Sequence, residues 1–409
     1  MINPLSKFLL QEYQVNAEGG IIYVDHKVKT WLNSFSNEKN NQKSIVEERI
    51  FKQITKSGYE ENPDIAKPDL FPKISLILVL FNSKFWFENL LMMFENLKSY
   101  LYEIIIIDNG SKDDCLNLLE ERISGLMCIK NDKSNSFSTA INQGIRIASG
   151  EVFLIINPDI YIPRSSLWAL IECYNKNQEA AAISPKLMLM KTPGFINGIG
   201  NVVKPFWHGY DIGLGHLDVG QFDHISELPS ACFAAILIPK TSWKIVGELD
   251  EEFPMYYEDS DWCYRARGLG LKIKFCKESK IYHAFKSYKY KNNNIDEAYI
   301  RNISYGRIRF VIKNYSYYSQ KAYLFSYFVN DSFQVLKYSI KTHRIQLKNY
   351  LMVWKKLFQG KNEWRKSNEG KLGKCEIEKI KNLFPITMDG IPVLKWKTMQ
   401  IIINNEKYL

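Results

Sequence analysis

Four short polar clusters in this 409-residue chain have residue types that can do chemistry. They are Asn82-Ser83, Asp108-Asn109-Gly110-Ser111, Asn157-Pro158-Asp159 and a dense stretch from Leu249 to Gly268. Asn82, Asp108 and Ser111 can hydrogen-bond a nucleoside; a carboxylate such as Asp108 suits the imide N–H of a pyrimidine. Asp159 can bind Mg2+ or Mn2+, hard cations that take one or two carboxylates while phosphate oxygens fill the other positions. In Glu258-Asp259-Ser260-Asp261, either Asp259 or Asp261 could be the general base that takes a proton from an attacking hydroxyl. There is no GxxxxGK[ST] loop, so phosphate charge would fall to metal and side chains. Neither a Ser-His-Asp order nor zinc-ligand spacing stands out.

Each cluster also has a plainer account. Asp-Asn-Gly-Ser and Asn-Pro-Asp are good turn sequences, and Glu258 to Asp261 could simply start a helix. His283 alone could be a satisfied core histidine, and Arg265 and Arg267 dipole or ion-pair partners. What favours chemistry is that the first three clusters each follow a buried strand.

The elements that position them can be read from apolar spacing. Ile74 to Phe81 and Ile104 to Ile107 are almost wholly apolar and β-branched, with Phe85, Phe87, Leu90, Leu91, Phe94 and Leu97 at helical spacing between them. Continuous apolar strands need cover on both faces, which predicts a parallel βαβ unit. In an open parallel sheet, ligands sit beyond the carboxyl ends of the strands, so the first two clusters point at one site. Further strands are predicted at Leu126–Ile129, Val152–Ile156, Ala181–Ser184, Ala234–Ile238 and Lys272–Cys276. Helices are predicted at Asp113–Ile123, Thr139–Ala148 with Gly150 as C-cap, Leu167–Asn175 and, as a short one, within Leu249–Gly268. The stretch Pro193–Pro229, rich in glycine, proline and aromatics and holding His208, His216 and His224, is expected to lie over the site. Beyond about residue 290 the chain turns helical, basic and aromatic, with stretches at 298–315, 320–340 and 346–358. Residues 1–72 read as an accessory segment with weak helical patterning at Lys7–Glu12 and Lys43–Ile54.

Composition bounds the class. Apolar content of 46% and aromatic content of 14% describe a globular chain. No run reaches about 18 apolar residues, and the N-terminal apolar run is too short for a signal peptide. Seven cysteines without a CxxC pair fit reduced thiols and a cytoplasmic setting. The net charge of +10 is uneven: residues 280–409 hold 25 Lys+Arg against 9 Asp+Glu, and residues 1–279 hold 29 against 35. A basic module of +16 suits an anionic membrane surface, or is merely a solvated face. Nucleic acid is not expected, because the acidic remainder would repel a phosphate backbone.

Residues 73–285 resemble a family 2 inverting glycosyltransferase with the GT-A fold, most closely its rhamnosyltransferase-type branch. The resemblance is carried by VLFNS (79–83), IIIIDNGSKD (104–113), NQGIRIASGE (142–151), LIINPD (154–159), GELDEEFPMYYEDSDWCYRARGLGLKI (247–273) and His283. It implies an α/β, Rossmann-like, mostly parallel sheet over 73–290, between an N-terminal extension (1–72) and a helical basic region (291–409). It implies transfer with inversion of a sugar, rhamnose among the candidates, from a nucleoside-diphosphate donor. The acceptor would be a saccharide or a polyprenyl-linked saccharide in surface polysaccharide synthesis, on the inner face of the membrane. Phe81, Asn82, Asp108, Asn109, Ser111, Asn142 and Asn157 would lie at the nucleotide-sugar. Asp159 and His283 would hold Mg2+ or Mn2+, with Asp259 as base, Glu258 beside it and Asp261 the second candidate. Ser136 and the run Ser230-Ala231-Cys232-Phe233-Ala234 depart from the family's usual glycines. A glycosyltransferase-shaped, non-catalytic saccharide binder or scaffold is the alternative.

Overall fold

The structure is a computed structural model that describes residues 59, 61–203, 210–285, 290–291, 294–295, 297–315, 317–339, 348 and 350–355. Strands β1 (Ile74–Leu80) and β2 (Glu103–Asp108) are parallel neighbours, joined through helix α1 (Phe87–Leu97). All seven residues of β1 are buried, as its continuous apolar run requires of a strand covered on both faces. Strand β3 (Leu126–Lys130) extends the sheet beyond β2, and β4 (Val152–Ile156) lies on the other side of β1, all parallel.

Past β4 the sheet continues through β11 (Ala235–Pro239), β6 (Ala180–Leu189), β12 (Lys272–His283) and β10 (Glu227–Leu228). The pairings make β11 and β10 antiparallel to their neighbours, whereas β6 and β12 are parallel. Six of these eight strands therefore run the same way, and the α/β, mostly parallel expectation holds. Helices α2 (Cys115–Arg122), α3 (Phe137–Ile147), α4 (Arg164–Lys176) and α5 (Lys240–Val246) flank the sheet.

Two local expectations are corrected. Lys272–Cys276 and Ile281–His283 form one strand, β12, whose register against β6 shifts between Cys276 and Lys280. Gly150 does not cap a helix: α3 ends at Ile147 with Ala148 extended. At Gly150 the Ser75 hydroxyl and Lys73 carbonyl come so close that a Cβ would lie 2.4 and 2.7 Å from them. Glycine is required there by close approach rather than by dihedral angle.

Three helices complete the described chain: α6 (Glu258–Gly268), α7 (Glu297–Asn314) and α8 (Tyr317–Ser339). Helix α7 is bolted to the segment leading into α6. Arg309 pairs with Asp250 at 2.7 Å, and Lys313 pairs with Asp250 at 2.6 Å and Asp261 at 2.9 Å. Helix α8 attaches to α7 through the buried Arg307–Asp331 pair and the stacking of Tyr315 on Tyr323. Near the start of the described chain, the Glu61 carboxylate accepts from the backbone of Arg164 and Ser165 and so caps α4. The helical patterning at Lys7–Glu12 and Lys43–Ile54 lies outside the described residues.

The glycine-rich loop between β6 and β11 is anchored by charge. Lys186, buried in β6, donates to Asp218 at 2.8 Å and Asp223 at 2.7 Å, and Lys280 of β12 reaches Asp218 at 2.6 Å. Burial would push the Asp218 carboxyl up, but Lys186 and Lys280 outweigh it and hold the group at about 2. A depressed folded-state value stabilises above the unfolded value near 4, and that contribution disappears as pH falls toward 2. Asp218→Asn is therefore expected to flatten the acid limb of the stability curve between about pH 4 and 2, read by acid titration of the circular dichroism signal.

Candidate active site

The carboxyl ends of β1, β2 and β4 meet at one edge of the sheet. The first two loops lock onto each other. Asn82, at a left-handed φ of 50°, accepts from Lys112 N through Oδ1 and donates its own N–H to Ser111 Oγ. Asp108 Oδ1 accepts from Ser111 N. An asparagine held left-handed by two cross-loop hydrogen bonds is a locally strained, over-determined geometry of the kind found at binding sites. Phe81 projects outward, half exposed, beside it.

Two expected nucleotide contacts have their side chains committed elsewhere. Asn109 is buried; it accepts from Asn135 N and Asn131 Nδ2 and donates to Asn135 O. Asn142 is fully buried in α3, where it accepts from Leu249 N and donates to Leu249 O and Glu251 Oε1. The second is a clamp that fixes the segment before α6. Asn157, in the turn after β4, donates its backbone N–H to Ala234 O.

Asp159 follows β4 and precedes the two-residue strand β5 (Ile160–Tyr161), which pairs with the end of β12 so that Ile160 lies opposite His283. That pairing brings His283 Nε2 within 3.3 Å of Asp159 Oδ1. Asn197 Oδ1, from strand β7 (Ile196–Gly198), lies 2.7 Å from His283 Nδ1. An amide oxygen only accepts, so in this pairing Nδ1 donates and Nε2 faces the Asp159 carboxylate. A carboxylate and an imidazole nitrogen side by side are groups that can ligate a divalent cation.

The residues fit a divalent ion of the kind that relies on its substrate for ligands. Among the described residues, no three His, Cys, Asp or Glu side chains are grouped to hold a metal, so the protein would supply two and phosphate oxygens the rest. The buried Asn197 Nδ2 has no hydrogen-bond partner among the described residues.

Asp259 lies one residue into α6. Its Oδ2 accepts from Asn201 Nδ2 at 3.1 Å and its Oδ1 from Ser260 N at 2.6 Å. Burial pushes the carboxyl above the usual range, and these two donors only partly offset it. Glu258 is pushed up to about 8, by burial and then by Asp259, and its buried Oε2 has no hydrogen-bond partner among the described residues. The helix begins after Tyr256 and Tyr257, both left-handed at φ 72° and 73°. Gly306 of α7 makes this possible, since a Cβ there would sit 2.9 Å from Tyr256 O and from the Tyr257 ring.

Asp261 faces the other way. Fully buried, it takes Arg265 Nε at 3.0 Å, Lys313 Nζ at 2.9 Å and Asn314 Nδ2 at 2.8 Å. Burial alone would raise its pKa, but Arg265 and Lys313 hold the group below the usual range. Saturated with cations and donors, it is placed as a brace rather than beside Asp259 as a second base.

Three polar residues of this cluster carry no signal in the sequence reading: Asn197, Asn201 and Asp211. Strands β8 (Asn201–Val202) and β9 (Tyr210–Asp211) pair so that Asn201 and Asp211 are opposite. Burial pushes Asp211 up to about 7, Asp259 adds to this, and His283 pulls it back. Asp211 and Asp259 both keep part of their surface open to solvent. The only available signal was the length and glycine content of 193–229. Of the histidines there, His216 is held neutral by burial, with a pKa near 4, and His208 lies outside the described residues.

Residues 75–186 match the family described as Glycosyl transferase family 2. It is 23% identical over 230 residues to the low-salt glycan biosynthesis hexosyltransferase Agl10 of Haloferax volcanii, a match covering 54% of this chain and 71% of that one. It is 25% identical over 218 residues to the dTDP-rhamnosyl transferase RfbF of Shigella flexneri, covering 52% and 69%. Among solved structures, the mannosyltransferase PcManGT of Pyrobaculum calidifontis in complex with GDP-Man and Mn2+ superposes at a TM-score of 0.44 and 12% identity, covering 83% of this chain and 94% of that one.

Proposed function

We propose that this protein transfers a hexosyl group, rhamnose being one candidate, from a nucleoside-diphosphate donor to a hydroxyl of a saccharide or lipid-linked saccharide, with inversion. The observation that carries this reading is the chain of short-range electrostatics across the cleft. His283 Nε2 touches Asp159, while Asp211 feels both Asp259 and His283. This supports assigning Asp259 as the base and Asp159 and His283 to the diphosphate end of a single site.

In this reading Asp108, Asn82 and Ser111 orient the nucleoside. Asp159 and His283 would hold Mg2+ or Mn2+ for the diphosphate, with Asn197 Oδ1 fixing the His283 ring through Nδ1. The metal supplies charge neutralisation for the departing nucleoside diphosphate. Asp259, made more basic by its surroundings, removes the proton from the acceptor hydroxyl as that oxygen attacks the anomeric carbon from the face opposite the leaving group. Asn201 keeps the carboxylate in place. An acceptor at the inner membrane surface fits the basic C-terminal region.

The test is a screen of UDP-, GDP- and dTDP-sugars for thermal stabilisation and donor hydrolysis with Mn2+ present. One donor class is expected to raise the melting temperature and be turned over. If none binds, the assignment of the cleft fails. Chelation with EDTA is expected to abolish transfer, with activity restored by Mn2+ or Mg2+. Turnover undiminished in chelator would remove Asp159 and His283 from the metal role.

A further inference from the structure

The outer side of α8 carries a surface that this chemistry does not use. Phe325, Phe328, Val329 and Phe333 are 69, 55, 43 and 64% exposed. At 3.6 residues per turn they fall within an arc of roughly 140°. The opposite side of the helix is occupied: Tyr323, Tyr327 and Asp331 are buried, and Asp331 pairs with Arg307. The helical turn 350–355 lies alongside. Its Trp354 ring packs on Phe328 with centroids 5.6 Å apart, donates Nε1 to Asp331 at 3.2 Å, and is preceded by the exposed Leu351 and Met352. Isolated exposed apolar residues need no explanation, but a contiguous aromatic patch does.

Charge says what kind of partner fits. From Ala322 to Leu336 the only Asp, Glu, Lys or Arg is Asp331, and that one is buried; Lys321 and Lys337 stand at either end. Over 316–356 the sequence has 7 Lys+Arg and 1 acid, a balance of 7 − 1 = +6. Lys321, Lys337, Lys348 and Lys355 would repel the like charge of a second copy and attract anionic headgroups. No helix among the described residues is long and apolar enough to cross a membrane, so this surface would lie on a bilayer rather than span it.

We propose that the outer face of α8 seats the protein on an anionic bilayer, with the phenylalanine rings in the boundary between headgroups and acyl chains and the flanking basic residues on the headgroups. The proposal deepens the membrane-borne acceptor reading above by naming the surface that makes contact. Because α8 is joined through Arg307 to α7, and α7 to the segment leading into α6, such seating would also set the cleft at a fixed attitude to the lipid surface.

The experiment is flotation of the full chain with phosphatidylcholine vesicles, with and without phosphatidylglycerol at equal proportion, at low and high salt. The wild type is expected to float with the anionic vesicles and to lose much of that binding in high salt. The triple variant Phe325→Ser, Phe328→Ser, Phe333→Ser is expected to bind at least about tenfold more weakly while keeping its circular dichroism spectrum. The inference is overturned if the wild type stays with the unbound protein, or if the triple variant floats equally well. It is also overturned if the wild type is a dimer that the triple substitution dissociates, which would make a second copy the occupant. Nucleotide-sugar stabilisation, measured on the same samples, separates this outcome from the fate of the functional reading. Flotation without donor binding defeats only the latter, and donor binding without flotation only the former.

Discussion

Asp259→Asn is expected to lower kcat for transfer by about two to four orders of magnitude, the usual contribution of a general base. Donor binding should survive, because the asparagine keeps the shape and its carbonyl oxygen can still accept from one of the two donors, Asn201 or Ser260. The measurement is single-turnover transfer paired with nucleotide-sugar affinity. Turnover close to wild type with intact affinity would exclude Asp259 as the base. A loss of both together would point to a collapsed cleft, and Asp259→Glu, which retains a base, should then recover some activity only if the carboxylate itself matters.

Asp261→Ala is expected to do the opposite: stability falls while the chemistry of the folded fraction persists. Removing this carboxylate leaves Lys313 with Asp250 alone and takes from Arg265 and Asn314 their shared acceptor in a fully buried position. Breaking a buried pair in that way costs about 3–5 kcal/mol. Urea unfolding should show that loss, and kcat per folded molecule should stay within a few-fold of wild type. A selective fall in kcat with an unchanged unfolding midpoint would return Asp261 to the catalytic machinery. The two substitutions, two residues apart, therefore separate by readout.

That separation also explains what could be read in the sequence. The strands at 74–81, 104–107 and 152–156 were legible because buried parallel strands are continuously apolar, and the polar residues ending them marked the site's edge. The identity of the base was not. Residues two apart on a helix point about 200° away from each other, so only one of Asp259 and Asp261 can face a cleft. Which one does depends on the side against which α7 packs, and that is a tertiary fact. Asn109 and Asn142 belong to motifs that carry the family resemblance, yet Asn142 clamps the backbone at Leu249 and Asn109 ties its loop to Asn135. Asn197, Asn201 and Asp211 were invisible because each sits on a strand of two or three residues, too short for any periodic pattern to form.

The ion pairs from α7 have a bearing on how the chain can be divided. A boundary near residue 290 looks natural from composition, yet a protein ending there would expose the site of Gly306 and remove Arg309, Lys313 and Asn314 from three acids that depend on them. Asp261 would remain in the interior with Arg265 alone, and the left-handed tyrosines ahead of the proposed base would lose the surface that holds them. The sheet-bearing part of the chain and α7 are thus tied together by charge, and a cut between them would leave buried acids behind.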